Sequence, residues 1–205
     1  MALTCLALNC TLKSGKKLDA SSTDRMLRLI LTALEEYDVE GEIIRVADQD
    51  IKPGVTSDEG PDDAWPDIRT KILAADILLM GTPIWLGQPS SVAKRVLERM
   101  DAFLDETDDQ GRMISFGRVA AIAVVGNEDG AHHVCAELFQ ALNDVGFTVP
   151  AGAGAYWVGE AMSDVNFSDL EKIPDVVQET IATLARNMAH LAGLLAQSNY
   201  PPPKE

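Results

Sequence analysis

Five short apolar runs, separated by stretches in which apolar residues recur every three or four positions, constrain this chain most. The runs cover residues 3–8, 42–46, 76–80, 118–125 and 147–149. Between them, Met26, Ile30, Leu34 and Tyr37 fall at helical spacing, as do Val92, Val96, Met100 and Phe103. Val134, Leu138, Leu142 and Val145 form a third such face, 65–75 a shorter helix, and 175–197 a long last one. Unbroken apolar runs of this length suit strands buried on both faces of a parallel sheet. Strand–helix alternation then predicts an α/β, three-layer fold. The expected sheet is five-stranded and parallel, of order 2-1-3-4-5, with helices on both faces joined by right-handed crossovers.

The chain has 205 residues, 46% hydrophobic and 24% charged, which suits a single domain over residues 1–197. Residues 198–205 carry three consecutive prolines and are expected to form a flexible tail. Two connections are unusually long: the acidic 47–64 and the Gly- and aromatic-containing 151–174. Both are candidates for site walls or subunit contacts. A formal net charge of -15 argues against nucleic acid as a partner. It suits an electron carrier that meets basic partners, and equally an ordinary protein kept dispersed by its charge. Cys5, Cys10 and Cys135 are odd in number and widely spaced, so neither a disulfide framework nor structural zinc is expected. No basic-then-apolar leader is present, and no apolar run approaches the ~18 residues of a membrane span. A cytoplasmic location without a membrane partner is the expectation.

In an open α/β sheet, loops leaving the carboxyl ends of strands line the ligand crevice. The first such loop brings Thr11, Ser21, Ser22 and Thr23 to the start of a helix, where unpaired N–H groups favour an anion. Lys13, Lys16 and Lys17 add the one basic cluster of an acidic chain. The alternative is that Ser22 or Thr23 simply caps the helix. The second loop, with Pro83, Ile84, Trp85, Leu86 and Gly87, sets an aromatic between turn residues after a central strand. It is suited to a flat, partly apolar ring, although a tryptophan alone more often packs. The third loop holds Gly126, Asn127, Glu128, Asp129, Gly130, His132 and His133. Its glycines permit close backbone approach to a ligand. A metal site is not expected, because adjacent helical histidines point about 100° apart. Neither G-x-G-x-x-G nor a P-loop is present. A receiver domain would need acidic residues where Asn9 and Cys10 stand, and a Cys-x5-Arg phosphatase would need arginine where Lys16 stands.

Three segments together carry a resemblance: N-C-T-L-K with S-S-T, then T-P-I-W-L-G-Q-P-S-S-V-A-K-R-V-L-E-R, then V-G-N-E-D-G-A-H-H. They resemble the flavodoxin-like NADPH-dependent FMN reductase family. The middle segment is the most specific, through Thr82, Pro83, Trp85, Gly87, Ser90, Lys94, Glu98 and Arg99. Trp85 stands where the family usually has tyrosine, and the first loop is longer here by about eight residues, Ser14–Ser21. The resemblance implies non-covalent FMN. Thr11, Ser21, Ser22 and Thr23 would face its phosphate, with Lys13 near. Pro83, Ile84, Trp85, Leu86 and Gly87 would border its ring, with Asn127, Glu128, Asp129, Gly130 and His132. It further implies hydride transfer from NADPH or NADH to FMN and on to a quinone, flavin or similar small-molecule acceptor, with no obligatory general acid among the side chains. A homodimer or homotetramer fits the family. A flavodoxin-type electron carrier, without direct NAD(P)H oxidation, is the alternative.

Overall fold

The computed structural model describes residues 2–15 and 21–204. Lys16 and Lys17, and most of the lengthened part of the first loop, lie outside the described residues. In chain order the elements are β1 (Leu3–Asn9), α1 (Ser22–Glu35), β2 (Val39–Arg45), α2 (Trp65–Ala74) and β3 (Ile77–Trp85). There follow β4 (Gln88–Pro89), α3 (Ser91–Met100), β5 (Val119–Gly126), α4 (Ala131–Asp144), β6 (Gly154–Val158) and α5 (Asp175–Gln197).

The strands pair in the order β2-β1-β3-β5-β6, every neighbour parallel, while β4 folds back antiparallel on β3. Counting the five parallel strands alone, this is the expected order. Successive side chains of a strand point to opposite faces, so each central strand feeds two cores. Leu6, Leu8, Leu78, Met80, Ile122 and Val124 pack on one side with Ile72, Val96 and Leu138 from α2, α3 and α4. Cys5, Ala7, Leu79, Ala121 and Ala123 face the other, against Met26 and Ile30 of α1 and Leu184 and Met188 of α5. Burial on both faces is why these strands read as unbroken apolar runs.

Two strand readings are corrected. β3 does not end at Met80 but continues through Trp85, because Thr82 and Pro83 stay in register with Val124 and Val125 of β5. The last strand is Gly154–Val158, not 147–149. Thr148 makes only an isolated bridge to Val119, its N–H bonded to Arg118 O at 2.9 Å. Pro150, with no N–H to offer, and Gly152, at φ 70°, then turn the chain out of the sheet. Pairing resumes at Gly154 opposite Ile122. The tail is also held at its root. Tyr200 packs on Phe116 at 5.2 Å between ring centroids, and its hydroxyl lies 2.9 Å from Thr148 Oγ1. Pro201, Pro202, Pro203 and Lys204 are exposed.

Candidate functional site

The carboxyl ends of β1, β3, β5 and β6 meet over a cleft. Its floor at one end is the start of α1. Ser21 is the N-cap, its Oγ accepting the Asp24 N–H at 3.1 Å. Capping therefore falls to neither Ser22 nor Thr23, and both line the cleft with Ser21, Thr11, Leu12 and Lys13. Ser22 Oγ accepts the Ser168 N–H at 3.1 Å, joining α1 to the chain beyond β6. Asp24 lies in the first helical turn, where its charge would oppose an anion. It is turned instead onto Arg28 Nε at 2.6 Å and Asn9 Nδ2 at 3.3 Å, with Arg45 Nη2 3.6 Å away. Arg45 Nη1 also donates to Lys13 O at 3.1 Å, and the Gly15 N–H to Asp48 at 2.7 Å, so the loop's base is fastened to the end of β2. The helix start thus presents hydroxyls and a positive dipole end to the cleft.

β3 and β4 make a tight hairpin that carries Trp85. Leu86 and Gly87 have φ values of 52° and 75°, the signs a type I′ turn requires at both central positions. Pro83, Ile84 and Trp85 line the cleft. Thr82 and Ser90, buried beneath, lock the hairpin to the first loop. Ser90 donates its N–H to Thr82 Oγ1 at 3.0 Å and its hydroxyl to Cys10 O at 2.6 Å, and accepts the Ala93 N–H at 3.0 Å to cap α3. Arg99, the last residue of this motif, is fully buried and points away from the cleft. It pairs with Asp63 and donates to the carbonyls of Lys52 and Thr56. The segment 47–64 is folded against α3 in this way and contributes nothing to the cleft lining.

The third loop divides its labour. Asn127 lines the cleft, and its Nδ2 donates to Ser163 O at 2.6 Å. The structure places Leu86, Gly87, Glu128, Asp129, Gly130 and His132 outside the lining. Glu128 Oε1 accepts the Leu86 N–H at 2.9 Å from behind the turn. Gly130 abuts the same turn: a Cβ there would sit 2.7 Å from Gly87 Cα. His132 Nε2 lies 2.9 Å from the Tyr156 hydroxyl. Among the described residues no group of three or more His, Cys, Asp or Glu side chains is placed to hold a metal ion.

The segment 151–174, a candidate site wall from the sequence, supplies the other wall through Trp157, Asn166 and Phe167, residues that the sequence did not single out. The Trp157 and Phe167 rings lie 5.5 Å apart, and Arg25 stands 5.7 Å over Phe167. Arg25 Nη1 donates to the carbonyls of Phe167, Ser168 and Leu170 at 2.8–3.0 Å, pinning that wall onto α1. The Asn166 side chain and backbone hold the Asp169 carboxyl below its ordinary value, and the charge of Lys13 adds to this. The cleft holds about 610 Å³ of empty space, mouth included. Hydroxyls on a helix start, with indole and phenyl surfaces in the same cleft, fit a phosphate ester carrying a flat ring.

The family model for NADPH-dependent FMN reductases matches residues 4–163. The 8-demethyl-8-aminoriboflavin-5′-phosphate synthase of Streptomyces davaonensis is 31% identical over 210 residues, covering 98% of this chain and 81% of that protein. A divalent metal cation transporter, MntH of Mycobacterium bovis, is 32% identical over 200 residues. The match covers 94% of this chain but only 29% of the transporter. No helix among the described residues is long and apolar enough to cross a membrane. Among solved structures, RosB with its bound intermediate 8-demethyl-8-formylriboflavin-5′-phosphate superposes with a TM-score of 0.87 at 31% identity, over 97% of this chain and 82% of that one. With its sheet order, its hydroxyl-bearing helix start and its match over residues 4–163, the chain belongs to the NADPH-dependent FMN reductase family.

Proposed function

We propose that this protein binds FMN in the cleft and works as an NAD(P)H-dependent oxidoreductase that delivers electrons to a small acceptor such as a quinone or a flavin. The observation that carries the reading is the pairing of an anion-favouring helix start with two aromatic walls in one cleft. Thr11, Ser21, Ser22 and Thr23 hold the phosphate, aided by the dipole of α1. Trp85 on one side, with Trp157 and Phe167 on the other, encloses the ring and excludes water from its edges. Bound FMN supplies the hydride-accepting and hydride-donating chemistry. Leu86 and Met162, 91% and 88% exposed, add apolar surface near the mouth, which suits an apolar acceptor.

A second reading treats riboflavin-5′-phosphate as the substrate rather than the cofactor. It is favoured by the 0.87 TM-score to a protein solved with a modified flavin phosphate.

One experiment separates the readings. The purified protein is loaded with FMN, freed of oxygen and mixed with NADPH or with NADH, while the visible flavin band is followed. Bleaching within seconds supports the reductase. Reduction only by a protein donor returns an electron carrier. Recovery of a flavin of altered mass after incubation points to FMN as substrate. Failure to bind FMN at all overturns both flavin readings.

A further inference from the structure

The turn that carries Trp85 is held in a conformation its own residues resist. Leu86 sits at φ 52°, where an L side chain crowds its own backbone, and glycine or asparagine is the ordinary occupant. At 91% exposed, the Leu86 side chain gains almost no packing in return. What offsets the strain must come through its backbone, and the Leu86 N–H is bonded to the Glu128 carboxylate at 2.9 Å, a charge-assisted hydrogen bond. The same loop touches the hairpin twice more. Gly130 lies against Gly87, and His133 Nε2 is 2.9 Å from Gln88 Nε2. Next door, Asn127 O accepts the Met162 N–H at 2.9 Å while Asn127 Nδ2 donates to Ser163 O, so the loop also grips the segment leading to Phe167.

We propose that Glu128 is a positioning residue, a strap that holds the Leu86-Gly87 turn and through it sets Trp85 against the flavin ring. The sequence motif alone points to Glu128 as a flavin contact. The geometry assigns it to the back of the turn, one residue from the side chain that holds the far wall. A single loop thereby sets the spacing of both aromatic walls. The proposal rests on the reading of the cleft as a flavin site for its effect on affinity, but its mechanical half stands apart from it.

The test uses the full chain in four forms: wild type, Glu128→Gln, Glu128→Ala, and Glu128→Ala combined with Leu86→Gly. Two quantities are read, hydrogen exchange of the Leu86 amide in the flavin-free protein and the dissociation constant for FMN. In Glu128→Ala the Leu86 amide is expected to exchange about tenfold faster, with FMN bound about tenfold more weakly. Glu128→Gln keeps an acceptor oxygen but loses the charge, and is expected to fall between wild type and Glu128→Ala in both. Glycine adopts positive φ unaided, so Leu86→Gly is expected to restore FMN affinity to the Glu128→Ala protein. Wild-type exchange in Glu128→Ala overturns the strap. So does a Glu128→Gln protein as impaired as Glu128→Ala, which would assign the effect to charge, and so does failure of Leu86→Gly to restore affinity. If wild type binds no FMN, the flavin reading fails and Leu86 exchange alone decides the strap.

Discussion

Arg99 and Asp63 form an ion pair 2.7 Å long in which both side chains are wholly removed from solvent. Every polar atom of the two side chains is engaged. Arg99 Nη1 donates to Lys52 O at 2.9 Å, and Nε and Nη2 reach Thr56 O at 3.1 and 2.9 Å. Asp63 accepts the N–H groups of Lys52, Glu59 and Trp65. The guanidinium stands 5.7 Å over the Trp65 ring. The acidic segment 47–64 is closed by this pair and contributes no residue to the cleft lining.

Removing one partner leaves a buried charge uncompensated. Arg99→Leu is expected to lower the unfolding free energy by about 3–5 kcal/mol, measured by urea denaturation. FMN affinity of the variant that remains folded should stay near wild type, because Arg99 does not line the cleft. A loss below about 1 kcal/mol would mean that the segment is closed by something else.

The pair also sets an acid limit. Burial pushes the Asp63 carboxyl up, but the hydrogen bonds from Glu59, Arg99, Trp65 and Lys52 outweigh it and bring it from 3.8 to about 2. A folded-state value below the unfolded one means that the contribution is complete above about pH 4 and fades as pH falls toward 2. The stability difference between wild type and Asp63→Asn should therefore be constant near neutrality and shrink in that acid window. A difference that grows on acidification would contradict the assignment.

At the phosphate end, Ser22→Ala with Thr23→Ala is expected to weaken FMN binding by ~1–3 kcal/mol, the range for lost hydrogen bonds to a charged group. Ser21→Ala should act differently, costing about 1 kcal/mol of stability through loss of the helix cap. Titration with FMN and thermal melts of the three proteins separate the two effects. Unchanged affinity in the double variant would move the phosphate elsewhere.

For the ring, Trp85→Ala and Trp157→Ala should each loosen FMN and shift its reduction potential, with Trp85→Tyr tolerated. Trp157 also packs on Phe167 and over Gly159, so Trp157→Ala should cost stability as well, whereas half-exposed Trp85 should not. If Trp85→Ala unfolds the protein and leaves the flavin spectrum normal, Trp85 is a packing residue only.

The sheet was legible because its central strands are buried on both faces and their sequences are almost wholly apolar. The last edge was not, since Phe147, Thr148 and Val149 are as strand-like as Ala155, Tyr156 and Trp157. Pro150 decides between them by withholding a donor, an effect that depends on where the neighbouring strand lies. The same misplacement hid Trp157 as a cleft wall. Pro83 and Gly87 suggested a loop, yet pairing with β5 carried the strand on to Trp85. The chemistry of Glu128 was visible as a carboxylate, but its customer, a backbone N–H forty-two residues earlier in the chain, was not.

The interruption at Pro150 and Gly152 has a further effect, on what this protein does when crowded. A sheet grows into a fibre by offering a straight, uninterrupted row of main-chain donors and acceptors to a neighbour. On one border that row is broken between Thr148 and Gly154. On the other, β2 presents exposed Glu40 and Glu42 to any approaching strand. Concentrated solutions of this chain are thereby guarded against strand-by-strand polymerisation from either side.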